Sequence, residues 1–374
     1  MESSYGLYHY YGKKRFDQAK AELIKEISSH ERTEVSGLAE MYREHLRFIE
    51  DYHFRVGRVG LQEEQSIYYS KNVVLQKDGN GYFLVPANQK VLRIISEGSN
   101  ITLQDNVKRV FDDDGSLRYQ IVVRGKKPEK LLLELADGTR KEIELSIYQR
   151  KSMTDYDGIL YEEWDGIPVL RIGKFLLPDT TEMKQLFEYA EKIRGKNIAI
   201  LDIRGNAGGN IFSVFQLMEK LAGEVRTKGV ELRRTGLNKS KLIENGIDQW
   251  YQKAGFDVSH VSYWYKQANA ELIKNDTILI VLMDQNTSSS AERLLESLHC
   301  VENTIFAGVN SVGNLFSSQE NAVYTLHSSI LIQYGESMKL YDERYFQEYR
   351  GFDPDIYYFG EEKLEELILK YLNS

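Results

Sequence analysis

Three consecutive serines, Ser288, Ser289 and Ser290, follow the apolar run Ile278-Leu279-Ile280-Val281-Leu282-Met283 and the polar stretch Asp284-Gln285-Asn286-Thr287. Behind them come Ala291 and Glu292, then Leu294, Leu295 and Leu298 at helical spacing. An apolar run, small polar residues and a helical period predict a buried strand, a tight turn and an amphipathic helix. Serines at a helix N-terminus sit among unpaired backbone N–H groups and at the positive end of the helix dipole, where a developing oxyanion is stabilised. Taken alone, the turn is better explained by Thr287 and the serines acting as N-cap residues.

Two further loops follow apolar runs. Ile198-Ala199-Ile200-Leu201 leads into Asp202-Ile203-Arg204-Gly205-Asn206-Ala207-Gly208-Gly209-Asn210, where Gly208 and Gly209 permit close approach and could aim an N–H at a reacting carbonyl. The loop lacks both the lysine of a phosphate-binding P-loop and the dinucleotide glycine spacing. Thr304-Ile305-Phe306 leads into Ala307-Gly308-Val309-Asn310-Ser311-Val312-Gly313-Asn314. Asp202 and Arg204 also read as a structural pair at the strand end.

These loops need a scaffold, and the pattern from about Gly158 supplies one. Apolar runs at 167–172, 198–203, 278–283 and 304–307 alternate with helical patterns, including Met183, Leu186, Phe187, Ala190 and Ile193, and the C-terminal Leu364, Leu367, Ile368 and Leu372. Such alternation implies an α/β fold with a largely parallel sheet, whose active sites gather at the carboxyl ends of strands. Upstream, residues 67–150 change to short β-type runs broken by Asp78-Gly79-Asn80-Gly81 and Asp137-Gly138, a β-rich module. Val73–Leu75 is expected to pair with Tyr82–Val85, and Leu131–Leu133 with Ile143–Leu145. Residues 1–66 carry two helical patterns, from Phe16 to Ile27 and from Val35 to Ile49, that stop at Glu50-Asp51-Tyr52-His53-Phe54. The expected division is therefore 1–66, 67–150 and 151–374, in line with a chain too long for one ordinary core.

Composition narrows the function. A net charge of −8 over 374 residues argues against nucleic acid, since no basic patch stands out. The single cysteine, Cys300, excludes an intramolecular disulfide and a cysteine-built zinc site, and reads as buried filler. No run reaches membrane-spanning length, and the N-terminus lacks a signal pattern, so the chain as it stands is expected to be cytoplasmic, or extracytoplasmic if an export signal was removed.

The ordered set of motifs resembles the S41 serine peptidases, which include the C-terminal processing proteases and the tricorn core. The motifs are Asp202 to Gly209, Asn286 to Glu292, Gly308 to Gly313 and Gly351-Phe352-Asp353-Pro354-Asp355. The resemblance implies a crotonase-like α/β domain, a peptide or protein substrate, no metal or organic cofactor, and Ser289 as nucleophile. It also implies that the β-rich module is a degenerate PDZ-like domain, although the usual Gly-Φ-Gly-Φ carboxylate loop is missing; homo-oligomeric assembly stays open. Processing proteases of this kind use a Ser-Lys dyad, and Asn314 stands where their lysine would be. An amide takes no proton at neutral pH, so the base has to come from elsewhere. Tricorn-like members use a histidine at the end of an N-terminal helical segment and a glutamate three residues before the glycine of Gly-x-x-Pro-Asp. Those positions are His53 and Glu348 here.

The expected chemistry is hydrolysis of a peptide bond through an acyl-enzyme. Ser289 attacks, His53 acts as base, Glu348 orients His53, and backbone N–H groups of Gly208 or Gly209 and of Ser290 hold the oxyanion. Each residue also has a plainer explanation. His53 could interact with a helix C-terminus, Glu348 could be a solvated charge near Arg350, and Glu292 reads as a first-turn carboxylate favoured by the dipole. His299 lies too far along the helix, His327 falls in a strand-like run, and His9, His30, His45 and His260 have no motif around them. The alternative to a peptidase is a catalytically inactive protein on the same scaffold that binds a peptide or small apolar ligand, a reading prompted by Asn314.

Overall fold

The run Ile278–Met283 is a strand with parallel neighbours on both sides, Ile198–Asp202 (Ile200↔Ile280) and Thr304–Gly308 (Val281↔Phe306). The computed structural model describes residues 5–63, 65–79, 81–112, 114–150, 158–227, 230–234, 263–266, 271–341, 345–360 and 364–373. The parallel order continues to Ile167–Ile172 on one flank and to Ile356–Tyr357 on the other, with Ile159–Trp164 antiparallel at the edge. Alternate residues of these strands enter different cores. Ala199, Leu201, Leu279, Val281 and Met283 pack under the helices Thr181–Ile193, Ile211–Ala222 and Ser290–Leu298. Ile200, Ile280 and Leu282 pack under Leu364–Asn373. Burial on both faces is why the strands read as unbroken apolar runs rather than as an alternation.

The helix Ser290–Leu298 departs from the amphipathic expectation, because all of its residues are buried. Its polar side is covered too: Glu296, fully buried, accepts from Arg293, Lys339 and Thr227.

Residues 67–150 form antiparallel strands around Val73, Leu75, Val91, Ile121 and Leu133. The hairpin across 78–81 forms as expected, with Leu75↔Leu84 in register. The second expected hairpin is shorter. Lys130–Leu135 pairs with Arg140–Glu142, Ile143 bonds back to Leu131, and Leu145–Ile147 turns away to pair with Ile67–Ser70. The strand Val107–Phe111 adds in parallel to Ile356–Tyr357 (Val110↔Tyr357), so the β-rich strands continue the large sheet. The architecture is a mixed α/β, multi-domain fold whose large sheet is parallel at its centre.

A second sheet is built on a long hairpin, Ser317–Tyr324 with Leu331–Leu340. It was not legible from periodicity, because its first strand begins Ser-Ser-Gln-Glu-Asn. His327, expected in a strand, lies in the turn between the two. Arg55–Val56 pairs with this hairpin (Arg55↔Gln333), and beneath it Phe16, Leu46, Ile49 and Phe54 pack with Ile332, Tyr334 and Met338. The helices Lys13–Ser28 and Val35–His45 are thus docked on the hairpin, and the chain that follows them runs along its base.

Candidate active site

Ser289 stands at the junction of the Ile278–Met283 strand and the helix that begins at Ser290, with φ 52° and ψ −119°. A non-glycine residue in that region stores on the order of 1–3 kcal/mol, which the surroundings have to hold. They do so from both flanking loops. The Ser288 N–H donates to the Asn206 carbonyl at 3.0 Å, Thr287 Oγ1 donates to the Ile203 carbonyl at 3.0 Å, and the Val312 N–H donates to the Thr287 carbonyl at 3.0 Å.

Glu292 joins the serine turn to one of these loops, the one at 308–314. Its buried carboxylate accepts Ser311 Oγ at 2.6 Å and the Gly313 N–H at 2.7 Å on Oε1, and the Asn314 N–H at 2.8 Å and Ser289 N–H at 3.1 Å on Oε2. Burial pushes its pKa up to about 7 against these four donors, which favour the ionised form. The sequence suggested only a dipole-stabilised first-turn carboxylate. The donors at 311–314 lie 19 to 22 residues away, so no local pattern announces them.

The glycine loop lies against the serine turn. At Gly208 (φ 102°) a Cβ would fall 2.8 Å from the Ser290 nitrogen, and at Gly209 (φ 126°) it would overlap Phe175. Only glycine permits both the backbone conformation and the approach. The Gly208 N–H is committed to Asn206 Oδ1 at 2.8 Å. Among the described residues, the N–H groups of Gly209 and Ser290 donate to no such partner. Ser290 Oγ donates to the Gly209 carbonyl at 2.7 Å, and Ser288 Oγ accepts from Asn314 Nδ2 at 3.2 Å.

His53 is 4% exposed and lies in the turn that follows the helical pair. Its Nε2 is 3.5 Å from Glu320 Oε1, its Nδ1 is buried with no hydrogen-bond partner, and its backbone N–H donates to Asp51 Oδ1 at 3.1 Å. Burial, reinforced by the positive charge of Arg55, lowers its pKa to about 3, so the ring is neutral at physiological pH. Asp51 in turn accepts Tyr5 Oη at 2.9 Å and Ser317 Oγ at 2.8 Å, and burial raises its pKa to about 6.

Glu348 is not the solvated charge that its neighbour Arg350 suggested; it is half-buried, and Arg350 pairs with Asp353 at 2.8 Å. Its carboxylate accepts the Tyr52 N–H at 2.9 Å, the Leu315 N–H at 3.1 Å and the Phe316 N–H at 2.8 Å. Burial and the Asp51 carboxylate push its pKa up. Glu348 therefore ties the residue before His53 to the loop after Asn314, and makes no hydrogen bond to the imidazole ring.

Ser289 and His53 line one cavity of about 640 Å³, together with Gly209, Ser290, Asn314 and Glu320. Glu348 stands behind its wall. His299 is stacked on Phe306 and Phe352 at the far end of the helix, and Cys300 is buried. Asp202 and Arg204 form the expected pair at 2.7 Å, extended by Arg171 at 3.1 Å. His260 lies outside the described residues. Among the described residues no helix is long and apolar enough to cross a membrane, and no group of three or more His, Cys, Asp or Glu side chains could hold a metal.

A family model described as Peptidase family S41 matches residues 166–358, more than half of the chain. The chain belongs to peptidase family S41. It is a serine-type peptidase, with a peptide or protein as substrate. Solved structures with similar chains include mature CPAF, at 12% identity over 95% of this chain and 89% of that one, with a TM-score of 0.46. The photosystem II D1 C-terminal processing protease is similar at 13% identity over 86% and 81%, with a TM-score of 0.37. The tricorn protease is similar at 12% identity over 96% of this chain and 33% of that one, with a TM-score of 0.40. No curated protein sequence matches the chain. In this S41 peptidase the matched segment contains the serine turn, both glycine loops and Glu348, whereas His53 comes from the N-terminal segment outside it.

Proposed function

We propose that this peptidase hydrolyses internal peptide bonds through an acyl-enzyme on Ser289, with His53 as general base and then acid. Ser289 Oγ attacks the scissile carbonyl and passes its proton to the neutral His53 ring. The N–H groups of Gly209 and Ser290 receive the oxyanion, and His53 protonates the departing amine. Water then repeats the sequence on the acyl-enzyme. Gly208 serves the same hole by letting the loop approach Ser290, since its own N–H is bonded to Asn206. Glu348 positions His53 through the Tyr52 N–H.

The observation that carries this reading is that Ser289, on its strained turn, and the buried neutral imidazole of His53 open onto one cavity beside two unbonded N–H groups. Labelling with a fluorophosphonate tests it. Wild type should label and Ser289→Ala should be silent, while His53→Ala should slow labelling by several powers of ten. Labelling that persists in His53→Ala removes the base assignment.

Two observations favour the second reading, a binding protein on the same scaffold. The His53 Nδ1 has no partner, and Asn314 occupies the position of the dyad lysine. Wild-type protein that binds peptides but neither labels nor cleaves would establish it.

A further inference from the structure

The cavity is cationic although the chain is not. Arg55, Arg150, Arg293 and Lys339 line it, and among the described residues Glu320 is its one lining carboxylate. Arg293 and Lys339 share the buried Glu296 just behind the wall. Four cations face that one carboxylate on the lining itself, within a chain of net charge −8, while Glu296, Glu292, Asp51 and Glu348 stand behind it with their oxygens turned to protein donors. A cleft of one sign with low-dielectric walls concentrates ligands of the other.

Three of the cations are held in place by protein partners: Arg293 and Lys339 by Glu296, and Arg150 by Asn286 Oδ1, to which its Nε donates at 2.7 Å. Arg55 differs. Its guanidinium lies over the Tyr52 ring at 5.5 Å and makes no hydrogen bond or ion pair with any described residue. A half-buried guanidinium with its donors uncommitted is a receptor for a planar carboxylate, which it grips with two parallel hydrogen bonds. Arg55 also stands two residues after His53, so a ligand on it lies beside the base.

We propose that the cavity selects peptides with an Asp or Glu side chain next to the scissile bond, its carboxylate pairing with Arg55. The proposal rests on the reading of the Ser289–His53 cavity as the peptide site. Pairing at Arg55 has a second effect. The positive charge that disfavours a proton on His53 is neutralised when substrate is bound, so the acidic side chain strengthens the base as well as adding affinity. Acidic substrates are therefore expected to gain in kcat and not only in KM.

The test uses matched peptides that differ only by Glu or Gln beside the cleavable bond, each made with a free and with an amidated C-terminus. Binding to the full-length Ser289→Ala protein, read by fluorescence anisotropy, needs no catalysis and so stays informative even if hydrolysis is absent. Glu peptides should bind about tenfold more tightly than Gln peptides, as a charge-assisted pair implies. Adding Arg55→Gln should abolish the difference, and Arg55→Lys should retain part of it. Equal binding of the two peptides, binding of neither, a preference that survives Arg55→Gln, or one that follows the free C-terminus instead of the side chain, each overturns the proposal. Failure of the peptidase reading shows separately, as loss of fluorophosphonate labelling in wild type.

Discussion

Around Ser289 a buried carboxylate, Glu292, accepts four donors and ties the serine's own N–H to the glycine loop at 313–314. Around His53 two carboxylates, the buried Asp51 and the half-buried Glu348, accept backbone and hydroxyl donors but, among the described residues, leave the imidazole ring to Glu320 alone. The Ser289 turn is held at its own N–H and by both flanking loops, whereas His53 is held chiefly through its main chain. The difference has a chemical sense. A strained serine turn needs saturated support to persist, while a ring proposed to exchange a proton with serine, leaving group and water is better left with a nitrogen uncommitted.

The largest test of this contrast is Glu292→Ala. It leaves four donors without their acceptor in a buried site, each worth about 1–3 kcal/mol, so a loss of several kcal/mol in urea unfolding is expected together with loss of labelling. Glu292→Gln, which keeps one acceptor oxygen, should recover part of the stability. A loss below about 1 kcal/mol for the alanine variant would mean that the serine turn does not depend on this carboxylate.

On the histidine side, Glu348→Gln keeps one carbonyl for three N–H donors. A stability loss of about 1–3 kcal/mol is expected, with a fall of at least about tenfold in labelling rate from a displaced base. If stability falls and the labelling rate does not, Glu348 supports the loop without positioning His53.

The pH dependence separates the two groups. His53, lowered from 6.5 to about 3, is already deprotonated through the ordinary histidine range, so the acid limb of the labelling rate should lie below pH 6. Arg55→Gln should move that limb upward, because the remaining cause, burial, acts without the neighbouring charge. Asp51 behaves oppositely. Its carboxyl titrates near 3.8 when unfolded and near 6 when folded, so the folded state holds the extra proton between those values and stability from this group declines as pH rises through them. Asp51→Asn should therefore gain on wild type between pH 4 and pH 6, by up to about 3 kcal/mol for a shift of this size. A constant difference across that window would remove Asp51 from the titrating groups.

The smallest effect expected is that of Tyr5→Phe, which deletes one hydrogen bond to Asp51 and should cost about 1 kcal/mol with little change in the rate of labelling. A large rate effect would show that the N-terminal segment shapes the base directly.

The strand–turn–helix around Ser289, the parallel sheet and the two glycine loops were all legible from residue type and spacing, because each is built by neighbours in the chain whose burial fixes their pattern. The hairpin over 317–340 was not, since its polar first strand owes its place to pairing with residues far away. The same limit applies to the carboxylates. Glu292, Asp51 and Glu348 look like ordinary surface acids in the sequence, and their partners stand 22, 266 and 296 residues off at the most distant. What the chain determines by itself is a serine on a turn with glycine loops at its sides. The tertiary structure alone decides that His53 faces the same cavity, which carboxylates hold the walls, and that an uncommitted arginine lies beside His53. Hydrogen bonds and burial among distant segments come into existence only when the chain has closed on itself, and no local period records them.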